Sequence, residues 1–112
     1  MRLTSRRMGL AYVVKVEGAR IDAAVAIQFK DQMRAETNAI PGRIILDLGD
    51  VDFVDSSGLG AIVASMKQMA DNQTLELASL NPGVAKVFNL TRMDSVFVIH
   101  PSAETATGKR AG

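Results

Sequence analysis

The chain has 112 residues and no cysteine, so we expect one domain with a single core and neither disulfides nor thiolate metal sites. Thirteen basic and twelve acidic residues give a net charge of +1, and with no tryptophan and one tyrosine the composition argues against a nucleic-acid-binding surface. Because no apolar run approaches the length of a membrane span and no secretory signal is present, the sequence predicts a soluble, cytoplasmic protein.

Three strands are predicted in the first half of the chain. Residues Ala11–Glu17 are rich in β-branched side chains and partly alternate, and a shorter strand at about Leu3–Met8 is expected to pair with them through a turn at Gly9. The consecutive apolar residues within Arg43–Leu48 predict a strand that lies centrally in a sheet or has both faces covered. A hairpin followed by a buried strand is therefore expected.

A helix is predicted between the hairpin and the buried strand. It is expected to begin after Ile21 with Asp22 as its N-cap, and to stop at Pro41 and Gly42. Its apolar face is formed by residues spaced four apart, which are Val25, Phe29 and Met33.

The segment Val51–Gly60 leads from the buried strand into a second helix. It carries two hydroxyls, a carboxylate and two glycines at a position where a helix N-terminus offers unpaired N–H groups and a partial positive charge. Any chemistry of the chain is expected here. The helix is predicted to end near Asn72, and its apolar face consists of Leu59, Ile62, Val63, Met66, Met69 and Ala70.

The second half of the chain predicts a strand, a helix and a last strand. Residues Thr74–Ala78 alternate as a strand should. Asn81 is expected to cap a helix that has Pro82 at its first position. Residues Val96–Ile99 predict the last short strand, and the polar residues 101–112 are expected to be a disordered tail.

These elements predict an α/β fold. Helices alternate with strands, which demands a mixed β-sheet of about four to five strands with parallel crossovers and three or so packed helices. We expect residues 1–100 to form the single domain and residues 101–112 to lie outside it.

The segment Asp55–Gly60, with the sequence DSSGLG, resembles the signature of STAS domains, in particular bacterial anti-sigma factor antagonists. The motif is fairly specific because it stands in the expected strand-turn-helix context. The similarity extends over about residues 8–100 and includes the residues Gly18–Asp22 before the first helix and the start of the third helix at Asn81 and Pro82.

The resemblance implies a regulatory protein without enzymatic activity or cofactor. In that family, the serine after the motif aspartate is phosphorylated by a partner that is both a serine kinase and an anti-sigma factor, and a PP2C-type phosphatase reverses the reaction. Only the unphosphorylated form binds the partner and frees the sigma factor. The phosphoacceptor in this chain is then Ser56, in a protein that is a monomer when free. The implied partner-binding residues are Asp22, Asp55, Ser57, Gly58 and Leu59.

Electrostatics alone can make such a switch work. A phosphoserine adds about −1.5 to −2 charges and is tolerated at a helix N-terminus, so the domain is not expected to unfold. One partner carboxylate at ~6 Å would repel each added charge by roughly 2–3 kcal/mol, which is about two decades of affinity. Gly58 and Gly60 would let the nucleotide-bearing loop of a kinase approach the backbone.

Several residues also have purely structural interpretations. Ser56 or Ser57 could be the N-cap of the second helix, and Asp22 could cap the first helix with or without a role in binding. The acidic residues from Asp47 to Asp55 could suggest a cation site, but an EF-hand loop beginning at Asp50 would have apolar residues at required ligand positions. We therefore predict no metal site.

Two other classes of protein remain as alternatives. A serine hydrolase would need a G-x-S-x-G elbow and a base, and the chain lacks the elbow and has only His100 as a histidine. The other alternative is a non-switching STAS scaffold, or an accessory subunit of a membrane transport or signalling complex. An intact motif with Ser56 argues against that alternative, because a structural role does not need an acceptor hydroxyl there.

Overall fold

A computed structural model describes residues 1–108 of the chain. The elements in chain order are β1 (Arg2–Met8), β2 (Ala11–Glu17), β3 (Arg20–Ile21), α1 (Ala26–Thr37), β4 (Gly42–Asp47), β5 (Phe53–Val54), α2 (Ser56–Lys67), β6 (Gln73–Ala78), α3 (Pro82–Leu90), a 3₁₀ turn (Met93–Ser95), β7 (Ile99–His100) and α4 (Ala103–Ala106). None of the helices within these residues is long and apolar enough to cross a membrane.

Five strands form a mixed sheet in the order β1-β2-β4-β6-β7. Strands β1 and β2 are antiparallel and are joined by a tight turn, in which Gly9 has a positive φ of 61°. All other neighbours are parallel, so each is reached by a crossover that contains a helix or a helical turn. The predicted α/β fold with a mixed sheet is confirmed, and β4 occupies the expected central position.

One face of the sheet carries the main core. Helices α1, α2 and α3 pack there, and each contributes a fully buried side chain from its apolar face, namely Phe29, Ile62 and Phe88. Ile44 and Leu46 of β4 lie beneath them and are also fully buried. The side chains that recur every three to four residues on each helix pack against the side chains that point to this face of the strand.

Helix α4 covers part of the opposite face, where disorder had been predicted. Ala103 and Ala106 are buried against Val13 and Ile45, and the side chain of Ser102 caps the helix by accepting from the Thr105 N–H at 3.0 Å. Because alanine adds little apolar surface, the composition of this segment gives no hydrophobic signal. The prediction of a disordered tail is therefore wrong for this helix, and for residues 109–112 it lies outside the described residues.

A polar cluster fixes α4 to the sheet. Glu76 of β6 accepts two hydrogen bonds from Arg43, at 2.7 and 3.0 Å, and one from His100 Nε2 at 2.7 Å. Arg43 also donates to the carbonyl of Ala106. The Arg43 guanidinium, the stronger influence, and His100 hold the pKa of the Glu76 carboxyl below its usual value, against the opposing effect of burial.

Some predicted boundaries need correction. Helix α1 begins at Ala26, so Asp22 is not its N-cap, and α2 ends at Lys67 rather than near Asn72. The last strand is Ile99–His100, later than predicted, because the residues paired with β6 are Ile99 and His100. Asn81 does stand before α3, but its side chain makes no capping hydrogen bond.

Candidate functional site at the start of α2

The loop between β4 and α2 is held from both ends. The Gly49 N–H donates to Asp47 Oδ1 at 2.9 Å, and Val51 is fully buried in the core. The side-chain amide of Asn81 reaches across from α3 and donates to the carbonyls of Gly49 and Val51, at 3.0 and 2.7 Å. Asn81 thus fixes this loop instead of capping its own helix.

A two-stranded ladder carries the loop to the start of α2. Strand β5 pairs in parallel with β3, which puts Arg20 beside Phe53 and Ile21 beside Val54. The Asp52 N–H also donates to the carbonyl of Ala19 at 2.7 Å. The ladder therefore places the segment that follows β3, including Asp22, next to α2.

Asp55 is the N-cap of α2. Its Oδ1 accepts from the Gly58 N–H at 2.8 Å, and its Oδ2 accepts from the Ala23 N–H at 3.2 Å. One carboxylate thus satisfies a free donor of the helix and also fixes the neighbouring loop. Neither Ser56 nor Ser57 is the N-cap, so that interpretation of the two serines is wrong.

Ser56 and Ser57 occupy the first two positions of α2, and both are exposed. Within residues 1–108 neither hydroxyl has a hydrogen-bond partner, so both are free to meet another molecule. A negative charge added to either hydroxyl would lie at the positive end of the helix dipole. The site therefore presents serine hydroxyls that the fold itself does not use.

Gly58 is buried and is required for packing. A Cβ atom placed at this position would lie 1.8 Å from the carbonyl oxygen of Ile21. Gly58 therefore allows a close approach of the protein's own backbone at Ile21, whereas we predicted that it would allow the approach of a kinase loop. Gly60 is exposed with open space around its Cα, and Leu59 is half-buried against the core.

Asp22 lies in the turn that precedes α1. Its Oδ1 accepts from the Ala24 N–H at 3.1 Å, and its Oδ2 pairs with Arg20 Nε at 3.0 Å. The Arg20 guanidinium holds the pKa of the Asp22 carboxyl below its usual value. Asp22 is thus negatively charged, and its turn lies next to the start of α2, where Ser56 is located.

Arg20 and Phe53 are parts of this surface that sequence reasoning missed. The Arg20 guanidinium lies over the Phe53 ring, 4.2 Å from its centre, and 41% of Phe53 is exposed. The only sequence signal was an aromatic residue shortly before the DSSGLG motif. Two-residue strands have no periodicity, so the pairing that joins Arg20 to Phe53 was not predictable from the pattern.

The surface around Ser56 is predominantly acidic. Asp52 is exposed and lies three residues before Asp55 in the chain, and Asp50 is paired with Lys15 at 3.7 Å. Within residues 1–108 no cluster of three histidine or acidic side chains has a geometry that could hold a metal ion. His100 is engaged with Glu76 across the sheet from α2, so it does not act as a base for Ser56.

The sequence model of the STAS domain family matches residues 3–106. A relative from Bordetella bronchiseptica, named "Putative anti-sigma factor antagonist BtrV", is 30% identical over 95% of this chain and 91% of its own length. The protein belongs to the STAS domain family.

Solved structures share the fold. An anti-sigma factor antagonist from Mycobacterium paratuberculosis superimposes with a TM-score of 0.84 at 22% identity, covering 96% of this chain and 92% of that one. The Bacillus cell fate determinant SpoIIAA in its phosphorylated form gives a TM-score of 0.65 at 18% identity, covering 96% and 98%. At these identities the likeness concerns the fold.

Proposed function

We propose that this protein is an anti-sigma factor antagonist that binds an anti-sigma factor with serine kinase activity, in a partner switch controlled by reversible phosphorylation of Ser56. A PP2C-type phosphatase would restore the binding form. The proposal rests chiefly on the exposed Ser56 hydroxyl, which has no partner within residues 1–108 and directly follows the capping Asp55. It is supported by the name of the Bordetella relative, "Putative anti-sigma factor antagonist", and by the existence of Bacillus SpoIIAA in a phosphorylated form.

Phosphorylation of Ser56 is compatible with the fold. The helix cap is the side chain of Asp55, so a phosphate on Ser56 removes no hydrogen bond that holds α2. The added charge meets the positive end of the helix dipole. The modification therefore changes the surface and leaves the core intact.

Loss of binding then follows from charge. A phosphate would join Asp22, Asp52 and Asp55 at one surface, and each added charge would be repelled by a partner carboxylate at ~6 Å by roughly 2–3 kcal/mol. This corresponds to about two decades of affinity. The protein acts as a substrate and a stoichiometric binder, with no catalytic residue and no cofactor of its own.

The partner surface we propose surrounds Ser56. Asp22, Asp55, Ser57 and Leu59 are at least partly accessible there, so their side chains are available to a partner. Gly58 is buried, so its contribution is to let α2 pack closely on the end of β3, from which the loop with Asp22 leads to α1.

The test is an affinity capture from lysate of the native host with three baits: the wild type, Ser56→Asp and Ser95→Asp. Ser95 is exposed and lies in the 3₁₀ turn after α3, so its substitution adds the same charge away from α2. We expect the wild type and Ser95→Asp to retain an ATP-binding serine kinase that Ser56→Asp loses. Calorimetry with the purified kinase should give an affinity at least tenfold weaker for Ser56→Asp.

A Ser56→Ala variant completes the test. It should fold as the wild type does, because Asp55 provides the cap, and it should bind the kinase but accept no phosphate. If all baits hold the same partners with equal affinity, the switch is refuted. The retained partners would then identify a scaffold or an accessory subunit of a transport or signalling complex.

A further inference from the structure

Arg20 is a basic side chain that the backbone brings close to Ser56. Its partner across the β3–β5 ladder is Phe53, three residues before Ser56. Three residues of extended chain span on the order of 10 Å, so the backbones of Arg20 and Ser56 are about that far apart. The side chains of an arginine and a phosphoserine are each several ångströms long and can together bridge this distance. The side chain of Arg20 is 60% exposed, so no packing prevents it from moving.

The present contacts of Arg20 can be exchanged. Its Nε pairs with Asp22 Oδ2 at 3.0 Å, and its guanidinium rests on the Phe53 ring. Both contacts lie at the surface, where water and salt weaken them. Asp22 is the ion-pair partner of Arg20, Asp52 and Asp55 flank the strand β5 that pairs with it, Lys15 is bound to Asp50, and Met1 lines the same groove as Arg20.

A phosphate on Ser56 would compete strongly for this guanidinium. The dianion carries about twice the charge of the Asp22 carboxylate, so its Coulomb attraction at equal distance is about twice as large. Arginine also binds phosphate through two parallel N–H···O hydrogen bonds. Lys15, another cation at this end of the sheet, is paired with Asp50 at 3.7 Å and lacks the forked donors of an arginine.

We propose that Arg20 binds the phosphate of phosphorylated Ser56 and in doing so leaves Asp22 and Phe53. This inference rests on the proposed phosphorylation of Ser56. The exchange makes the modification a change of shape as well as of charge, because the Phe53 ring is uncovered and Asp22 loses its ion pair. A partner that recognises the Arg20–Phe53 pair in the unmodified protein would lose that contact on phosphorylation.

The experiment uses protein with phosphoserine incorporated at position 56 during translation, so no cognate kinase is needed. The second ionisation of the phosphate, near pH 6 in free phosphoserine, is followed by ³¹P NMR in three forms: the otherwise unchanged chain, Arg20→Gln and Lys15→Gln. We expect the pKa of the phosphate to rise by about 0.5–1 unit in Arg20→Gln, the size that a nearby opposite charge at an exposed site produces. Lys15→Gln, which removes the same charge, should cause a clearly smaller rise.

A second readout follows the partner that Arg20 leaves. Carbon NMR of the Asp22 carboxyl should show a larger rise in its pKa on phosphorylation in the wild type than in Arg20→Gln, which has no ion pair to lose. Arg20→Lys should give an intermediate phosphate pKa, and it serves as the test variant if Arg20→Gln does not fold.

Two results would overturn the inference. The first is a phosphate pKa that is the same with and without Arg20. The second is an equal rise of the phosphate pKa in Arg20→Gln and Lys15→Gln, which would mean that the phosphate responds to the net charge of the surface and not to a specific contact with Arg20. Because the phosphate is installed without a kinase, failure of the kinase-binding experiment leaves this result standing, and the reverse also holds.

Discussion

Gly58 is the residue at which α2 touches the end of β3, just before the loop that leads to α1. A side chain at this position would collide with the backbone carbonyl of Ile21, 1.8 Å from the new Cβ, and backbone atoms cannot swing aside as a flexible side chain can. The distance between the loop and the helix is thus set by one missing methyl group. The relative position of Asp22 and Ser56 depends on it.

Gly58→Ala should therefore lower the free energy of unfolding by about 1–3 kcal/mol, the usual cost of overpacking a tight contact. Urea denaturation measures the loss. The control is Gly60→Ala, two positions along the same helix, where nothing lies within 4 Å of the added Cβ. That substitution should stabilise the protein by roughly 0.5–1 kcal/mol, because alanine favours helix. Equal stability of the two variants would contradict the packing argument.

At the scale of elements, α4 is a small helix with a defined role. It covers the part of the second face of the sheet where Ile45, a fully buried residue at the centre of β4, points. Its own apolar contribution is two alanines, and the Arg43 contact to its last carbonyl adds a polar connection. The element thus completes the core of the domain.

Ala106→Asp should detach α4, because a carboxylate cannot be buried unpaired against the sheet. We expect the free energy of unfolding to fall by about 1–2 kcal/mol, the value of the apolar surface that becomes exposed. Thr105→Asp adds the same charge on the exposed side of the helix and should leave stability nearly unchanged. Urea denaturation distinguishes the two, and hydrogen exchange should show faster exchange at Thr107, whose N–H donates to Ala103.

The sequence predicted the long elements better than the short ones. The bounds of β2 agreed to the residue because its run of β-branched side chains is buried or half-buried throughout and ends before Gly18. The β3–β5 ladder and α4 were not predicted, because elements of two to four residues are too short to show a hydrophobic period. The start of α1 was misplaced because Asp22 caps the N–H of Ala24 in a turn before the helix, which in sequence resembles a helix cap.

The candidate site was predictable in its residues and less so in their roles. The DSSGLG motif located Ser56 correctly at a strand-to-helix junction with an exposed hydroxyl. The division of labour between Asp55 and the two serines depends on side-chain geometry, since aspartate and serine both serve as N-caps. The stacking of Arg20 on Phe53 depends on tertiary pairing and left no local pattern.

At the scale of the whole molecule, three carboxylates within residues 1–108 have their pKa values lowered by arginine partners: Glu17 by Arg2, Asp22 by Arg20 and Glu76 by Arg43. A group whose pKa is lower in the folded state binds its proton more weakly there than in the unfolded chain. Its contribution to stability is present above the unfolded pKa and is lost as the pH falls through the folded value. Stability should therefore decline in acid, from about pH 4.5 downward.

Glu76→Gln should make that decline shallower, since Glu76 is the least accessible of the three carboxylates. At neutral pH the variant should be less stable by on the order of 1–2 kcal/mol, because Arg43 and His100 lose their charged acceptor. Urea denaturation from pH 3 to 7 gives both results. Glu104→Gln, at an exposed position, should follow the wild-type curve, and a Glu76→Gln curve parallel to the wild type would contradict the assignment.

The ladder that presents Ser56 is built from main-chain hydrogen bonds, such as that from Asp52 to Ala19. The exposed side chains around it therefore contribute little to its shape. After gene duplication, copies of such a protein can accumulate substitutions at Arg20, Asp52, Phe53 and Ser57 while the same loop keeps Ser56 in its place. Under the proposed function, one scaffold can in this way give rise to paralogues with separate partners, and a handful of surface positions would limit crosstalk between parallel pathways in one cell.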